Sequence, residues 1–163
     1  MKIIGIDPGL SGAIAVMKDN KVKNIFDMPV MAEGKKNKRQ LNSAQLVNIL
    51  KENVSENEEA VVVVEQVNAM PGQGVTSMFN FGQTFGAIKG VCAALKFPIF
   101  FVRPSKWKKH FELINSSKDS SRTKAIEMYP SQSSQLSKKK DVNKSDAILI
   151  ARYFRDCRSQ FDN

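Results

Sequence analysis

The 163-residue chain has little of what several kinds of functional site require. It contains one histidine, His110, and two cysteines, Cys92 and Cys157, which lie far apart with no CxxC pair. A disulfide scaffold and a zinc site built from cysteine and histidine are therefore excluded. Any metal site must be built from carboxylates, which are hard oxygen ligands suited to Mg²⁺ or Mn²⁺.

Long apolar runs are also absent. No stretch approaches the roughly 18 residues of a membrane span, and the start MKIIGIDPG has no charged leader, hydrophobic stretch or cleavage site. We therefore expect a cytoplasmic protein with no membrane partner. Hydrophobic residues make up 42% and charged residues 25%, as in soluble globular domains, so disordered and collagenous classes are excluded. The length predicts a single domain over 1–163.

Positive charge is in excess and is unevenly distributed. The chain has 25 Lys and Arg against 16 Asp and Glu, a net charge of +9. Residues 103–144 hold 11 basic and 4 acidic residues and so carry most of this excess. A second basic cluster consists of Lys35, Lys36, Lys38 and Arg39. Clustering of this kind favours a polyanionic partner over a merely soluble basic surface.

Five short apolar runs predict the strands of a mixed sheet. The runs Lys2–Asp7, Ser11–Lys18 and Val22–Met28 are separated by turn residues, which favours an antiparallel meander. Ala60–Val64 holds four consecutive valines and ends at Glu65, as expected for a strand covered on both faces. Pro98–Val102 is another apolar strand. With the intervening helices this order predicts an α/β sandwich.

Helical patterns lie between and after the strands. We predict helices over 43–54, Thr76–Leu95, a short segment from Pro104, Asp119–Met128 and 145–157, with a polar, basic loop over Ser131–Lys140. Within the second helix, Gly82, Gly86, Gly90 and Ala94 recur at every fourth position. Each glycine costs a helix about 1 kcal/mol relative to alanine. We therefore predict that this seam is buried against a closely approaching backbone.

Three acidic residues suggest a metal site. Asp7 and Glu65 each end a predicted strand of one sheet, and Asp146 opens the last helix in register with the interior positions Ile150 and Tyr153. Taken singly, each acid is more often a helix or turn cap. Together they would repel one another unless a cation neutralised them. Two divalent ions about 3.5 to 4 Å apart could support phosphodiester hydrolysis, which also accounts for the basic surface.

Sequence blocks around these acids resemble the catalytic blocks of RuvC-type Holliday junction resolvases. The blocks are I-G-I-D-P-G at 4–9, V-V-E-Q at 63–66 and K-S-D-A-I-L-I-A at 144–151. P-G-Q-G-V-T-S-M-F-N-F-G at 71–82 and V-R-P-S-K-W-K-K at 102–109 resemble a sub-branch from phages and some bacteria. The resemblance covers nearly the whole chain. It implies a ribonuclease-H-like fold, in which helices cover both faces of a mixed five-stranded sheet whose first three strands are antiparallel.

The resemblance also implies an activity and its cofactors. A homodimer would make paired nicks in a four-way DNA junction and leave 5′-phosphate and 3′-hydroxyl ends. The reaction would use Mg²⁺, with Mn²⁺ able to substitute, at two ions per active site and with no small-molecule cofactor. By motif match, Asp7, Glu65 and Asp146 take the catalytic and metal-ligand roles, and Asp7 would bridge the ions.

One position departs from the family pattern. The family usually has a fourth ligand, Asp or His, three residues before the helix acid, and this chain has Asn143 there. An amide oxygen can bind a metal but brings no charge. Asp141 would substitute if the loop folds back, and otherwise it is a solvated loop acid.

Basic and aromatic residues near the acids are expected to bind DNA. Lys138, Lys139, Lys140 and Lys144 flank Asp146, and the track would continue through Arg103, Lys106, Lys108, Lys109, Arg122 and Lys124. The resemblance implies that an aromatic after Glu65, Phe79 or Phe81, stacks on an unpaired base. Core packing is favoured for at least one of the two. Trp107 is expected to cover the sheet edge.

Three other functions compete with this interpretation. In actin-like ATPases and sugar kinases, a phosphate-binding loop with Asp and Gly also follows the first strand. Those enzymes need two related lobes, however, and this chain is too short for two. A DNA-binding module without catalytic activity remains an alternative, because Asn143 stands where the family usually has a metal ligand. A related nuclease acting on another branched or hybrid substrate is hardly separated from a resolvase by sequence.

Overall fold

The computed structural model describes residues 1–34 and 38–161. The strands are β1 (Lys2–Asp7), β2 (Ala13–Lys18), β3 (Lys21–Asp27), β4 (Val30–Ala32), β5 (Arg39–Leu41), β6 (Ala60–Glu65) and β7 (Ile99–Val102). The helices are α1 (Ser43–Asn53), α2 (Val75–Ala94), α3 (Pro104–His110), α4 (Ser120–Met128) and α5 (Val142–Asp156). Three short 3₁₀ helices cover Pro130–Leu136, Lys139–Asp141 and Arg158–Gln160.

The main sheet has five strands in the order β3-β2-β1-β6-β7. β1 pairs antiparallel with β2, and β2 pairs antiparallel with β3, so the first three strands form the predicted meander. β1 also pairs parallel with β6, which pairs parallel with β7. The prediction of a mixed five-stranded sheet is confirmed, and β1 lies at its centre.

Side chains of alternate strand residues point to opposite faces of the sheet, and each face carries its own core. Ile3 and Val63 lie in a cluster with buried residues of α3, α4 and α5. Ile4 and Val62 lie in a second cluster with buried residues of α1 and α2. Helices therefore cover both faces, as predicted, and β1 and β6 are buried on each side.

The backbone of α5 approaches the central strand closely at Gly5. A β-carbon placed on Gly5 would stand 2.1 Å from the carbonyl oxygen of Ala147 and 2.8 Å from the amide nitrogen of Ala151. Only glycine allows the backbone of α5 to approach β1 this closely. The contact fixes the position of α5 over the central strand.

The predicted burial of the α2 seam is wrong. A β-carbon on Gly82, Gly86 or Gly90 would meet no atom within 4 Å, and all three glycines are exposed. α2 packs on the sheet through a different stripe, whose buried members are Thr84, Ile88, Val91 and Cys92. Spacing of four residues shows that the glycines share a helix face, but it does not determine which way that face points.

Smaller differences concern the connections. A short β4–β5 hairpin that was not predicted follows β3, and the predicted loop over 131–140 contains two 3₁₀ helices. Lys35 and Lys36 of the second basic cluster lie outside the described residues.

Cys92 and Cys157 are both free thiols. None of the described helices combines the length and apolarity needed to cross a bilayer.

Candidate active site

Asp7 and Glu65 end neighbouring parallel strands at the same edge of the sheet. The register pairs Ile6 of β1 with Val64 of β6, so the two acids are the next residues on adjacent strands. Gly5, two residues before Asp7, faces α5, and Val63, two residues before Glu65, lies in the core on that side. Because strand side chains alternate, both carboxylates face the side of the sheet that α5 covers.

Asp146 reaches the same region from α5. The helix begins at Val142 rather than at 145, so Asp146 lies in its second turn and directly precedes Ala147, which contacts Gly5. Oδ1 of Asp146 is shielded from solvent and has no hydrogen-bond partner among the described residues. A buried carboxylate oxygen without a partner is costly, and a cation would satisfy it.

The three carboxylates form one electrostatically coupled group. Burial, followed by repulsion from Glu65 and then Asp146, raises the pKa of Asp7 to about 7, against a smaller lowering by the Gly9 amide. Burial also raises the pKa of Glu65, with a further contribution from Asp146. Burial is the main cause that raises the pKa of Asp146, and the Ser121 hydroxyl opposes this rise. Each group is therefore held away from water and close to other negative charge.

Lys108 is the basic residue that acts on all three carboxylates. Its positive charge opposes the rise in the pKa of Asp7, of Glu65 and of Asp146. Its Nζ lies 5.4 Å from the ring centroid of Trp107. Lys108 was predicted to bind phosphate as part of the lysine track, and in the structure its charge also acts on the acid group.

Trp107 contacts the site in a way that sequence analysis missed. Its side chain is fully buried, and Nε1 donates a 2.7 Å hydrogen bond to Oε2 of Glu65. This bond favours the ionised form of Glu65 and so opposes the rise of its pKa. The signal in the sequence was the position of Trp107 four residues before the buried Phe111, which predicts that the indole faces the interior.

Asp141 and Asn143 have other partners. Oδ2 of Asp141 accepts a 2.9 Å hydrogen bond from the Lys138 amide, and Oδ1 lies 3.1 Å from Nζ of Lys144. Despite its burial, these contacts lower the pKa of Asp141, and they anchor the start of α5. Nδ2 of Asn143 donates to the carbonyl of Ser11, which ties α5 to the loop after β1. The structure does not bring Asp141 into the coupled acid group.

The residues fit a divalent cation in their chemistry but are not yet arranged as a metal site. Within residues 1–34 and 38–161, no three His, Cys, Asp or Glu side chains come close enough to hold an ion as they stand. The donors at Asp7, Glu65 and Asp146 are nevertheless all carboxylate oxygens, mutually repelling, and one of them is buried without a partner. Their side chains would have to move to bring all three onto one cation.

The basic residues of the expected DNA track fall into two groups. Arg103, Lys106, Lys109, Lys138, Lys139 and Lys140 are exposed. Arg103 follows β7 at the sheet edge that holds Asp7 and Glu65, because β1, β6 and β7 run parallel. The rest are engaged within the protein. Arg122 bonds Asp119 and the Leu136 carbonyl, Lys144 pairs with Asp141 and Asp27, and Lys124 lies 3.7 Å from Glu127.

The two candidate stacking residues differ. The side chain of Phe79 is 66% exposed near the start of α2. Phe81 is half-buried and stacks on Phe85, with ring centroids 6.5 Å apart. Of the two, only Phe79 presents a free ring to a base.

Comparison with known proteins identifies the fold. No family model and no curated protein matches the chain. Among solved structures, Thermus thermophilus RuvC in complex with a Holliday junction substrate matches with a TM-score of 0.62 at 15% identity, over 99% of this chain and 97% of that one. The yeast mitochondrial Holliday junction resolvase Ydc2 matches with a TM-score of 0.55 at 18% identity, over 98% and 83%. The fowlpox virus Holliday junction resolvase gives 0.57 at 18% identity, over 96% and 99%. The chain therefore has the ribonuclease-H-like fold that these resolvases share.

Proposed function

We propose that the protein is a Mg²⁺-dependent endonuclease that resolves four-way DNA junctions by paired nicks, leaving 5′-phosphate and 3′-hydroxyl ends. The observation that carries the proposal is the coupled group of Asp7, Glu65 and Asp146 beside Lys108. These acids occur on the fold of known junction resolvases. A purely structural role does not account for three mutually repelling carboxylates at one sheet edge.

The proposed mechanism assigns a task to each group. Asp7, Glu65 and Asp146 would hold two divalent ions, which when bound would supply an activated water and stabilise charge on the leaving oxygen. Lys108 would hold the scissile phosphate over the acids and offset the negative charge that develops on it. The exposed lysines 138–140 would bind neighbouring phosphates, and the exposed ring of Phe79 would stack on an unpaired base.

Paired nicks require two active sites, and we propose that α2 supplies the contact between two copies. Its exposed glycines, Gly82, Gly86 and Gly90, leave a flat face with open space above it. The 20-residue helix carries one charged residue, Lys89. Two chains of net charge +9 repel one another, so the weakly charged face of α2 is the surface best suited to a second copy.

Cleavage of defined substrates tests the activity. We expect incision of a labelled four-way junction at symmetric positions with Mg²⁺, no incision with chelator, and none of a matched duplex. Asp7→Asn should bind the junction and leave it uncut. Normal cutting by Asp7→Asn would refute the proposal. Cleavage of a flap or an RNA–DNA hybrid in place of the junction would favour the related-nuclease alternative, and binding without cleavage would favour the non-catalytic module.

Sedimentation of a single variant tests the dimer. Gly86→Leu should give a folded monomer, because the side chain projects from the seam into the proposed contact. Gln83→Leu introduces the same apolar side chain at an exposed position of α2 on the side of Leu10 and Arg39, and it should remain dimeric. A Gly86→Leu protein that sediments as the wild-type dimer would place the interface elsewhere.

A further inference from the structure

The single tryptophan is joined to one of the three acids. Trp107 is the only tryptophan in the chain. Its side chain is fully buried on α3, and its Nε1 lies 2.7 Å from Oε2 of Glu65. A buried indole N–H requires an acceptor. In the part of the chain that the structure describes, Glu65 is the acceptor recorded for it.

Glu65 differs from the other two acids in how much support its position needs. A glutamate side chain has one more rotatable bond than aspartate, so fixing its carboxylate costs more conformational entropy. The backbone amide of Gly9, two residues along the chain, lowers the pKa of Asp7 and so favours its ionised form. Among the residues that the structure describes, the hydrogen-bond donor to Glu65 is Trp107, which lies 42 positions away in the sequence.

The chemistry of the donor suits a carboxylate that must also bind a cation. An indole N–H is neutral, so it orients Glu65 without the competing positive charge that lysine or arginine would bring. The bond occupies Oε2 and leaves Oε1 available. Outer partners that orient metal ligands in this way typically change metal affinity by about 10- to 100-fold when they are removed.

We infer that Trp107 is a positioning residue, which holds Glu65 through the Nε1–Oε2 hydrogen bond so that Oε1 is presented to a divalent cation. The inference rests on the proposed metal-dependent function. It concerns the metal affinity of the protein rather than contact with DNA, because the indole is buried and touches no solvent.

Mn²⁺ binding, measured by titration calorimetry without DNA, tests the inference. Trp107→Phe removes the donor, and we expect it to bind Mn²⁺ about 10- to 100-fold more weakly than wild type. Tyr129→Phe is the matched control. It removes an aromatic donor from the same core, where Tyr129 contacts Met17 and Arg152 rather than Glu65, and it should bind Mn²⁺ like wild type.

A second variant separates the hydrogen bond from the packing. The sulfur analogue of tryptophan, benzothienylalanine, keeps the bicyclic shape and lacks the N–H donor. Since the chain has one tryptophan, incorporation of the analogue changes this position alone. The analogue protein should lose Mn²⁺ affinity as Trp107→Phe does. If Trp107→Phe does not fold, the analogue protein alone tests whether the N–H donor positions Glu65. In both proteins excess Mn²⁺ should restore most of the cleavage rate.

The outcomes distinguish this inference from the proposed function. Wild-type Mn²⁺ affinity in the sulfur analogue would overturn the positioning role of Trp107 and leave the nuclease proposal intact. Absence of any wild-type Mn²⁺ binding that depends on Asp7 would overturn the metal-dependent function and this inference with it.

Discussion

Gly5 of β1 lies directly beneath Ala147 of α5, so closely that a β-carbon on Gly5 would stand 2.1 Å from the Ala147 carbonyl oxygen. Asp7 follows Gly5 on the same face of the strand, and Asp146 is the neighbour of Ala147. The contact between two backbones therefore sets how near the two carboxylates come. A small residue in the core determines the geometry of the proposed chemistry.

Alanine substitution at two glycines should have opposite effects on stability. Gly5→Ala places a methyl group against backbone of α5 that cannot rotate away, and we expect a loss of about 3 kcal/mol or more in the free energy of unfolding. Gly86→Ala adds a methyl group in open space on α2, and we expect the monomer to gain up to about 1 kcal/mol. Urea unfolding monitored by circular dichroism measures both. Equal effects would contradict the packing described for α5.

Asp7→Asn should stabilise the metal-free protein at neutral and alkaline pH. The folded state raises the pKa of Asp7 to about 7, from an ordinary value near 3.8. Between these values the folded state binds a proton more tightly than the unfolded state does, so stability falls as pH rises through this window. The shift of about three pKa units corresponds to a loss of about 4 kcal/mol that is complete above pH 7.

Thermal unfolding in chelator at pH 4 and pH 8 measures this effect. Asn cannot ionise, so the advantage of the variant over wild type should be present at pH 8 and small at pH 4. Glu56→Gln, at an exposed position away from the site, is the control and should change stability little at either pH. An Asp7→Asn protein no more stable than wild type at pH 8 would show that the carboxylate is not strained by its surroundings.

Neighbouring lysines on α3 should differ in the step they affect. Lys108 interacts with all three acids, and removing one such charge from a preorganised site typically lowers the rate by about 100-fold or more. Lys108→Met should therefore slow single-turnover cleavage of bound junction and change junction affinity little. Lys109 is exposed, and Lys109→Met should weaken binding without slowing cleavage of bound substrate. Equal losses of cleavage rate in the two variants would mean that Lys108 has no catalytic effect beyond that of an exposed lysine.

The lysine run before α5 should contribute to salt-dependent DNA binding. Lys138, Lys139 and Lys140 are exposed, and each phosphate contact contributes about 0.9 to the slope of log affinity against log salt concentration. Replacing all three with alanine should lower the magnitude of the slope measured with a four-way junction.

A charge-matched control tests the position of that run. Replacing Lys21, Lys23 and Lys51 with alanine removes the same charge from other exposed positions. In the strand register Lys21 of β3 lies opposite Lys18 of β2, and Lys18 lies opposite Lys2 at the start of β1. Lys21 is therefore at the other end of the strands from Asp7. This control should leave the slope nearly unchanged. Equal slopes for the two triple variants would mean that only net charge matters.

Local sequence patterns were sufficient to predict the strands, the helices and the candidate acids. Apolar runs bounded by turn residues located all five strands of the main sheet, and Asn42 marked the start of α1, where its side chain accepts a hydrogen bond from the Gln45 amide. These signals are local, because strand and helix patterns depend on residues a few positions apart. The three acids stood out for the same reason, since each lies at or near the end of a recognisable element.

Which helix faces pack on the sheet, and which side chains meet at the acids, depends on contacts that no local pattern predicts. The four-residue spacing grouped Gly82, Gly86 and Gly90 on one face of α2 but did not predict that this face is exposed, whereas the glycine against which α5 packs is Gly5. The bond from Trp107 to Glu65 and the position of Lys108 beside the acids were likewise absent from any local pattern. Contacts between residues distant in the chain depend on how whole elements dock, and docking is set by the summed packing of both core clusters.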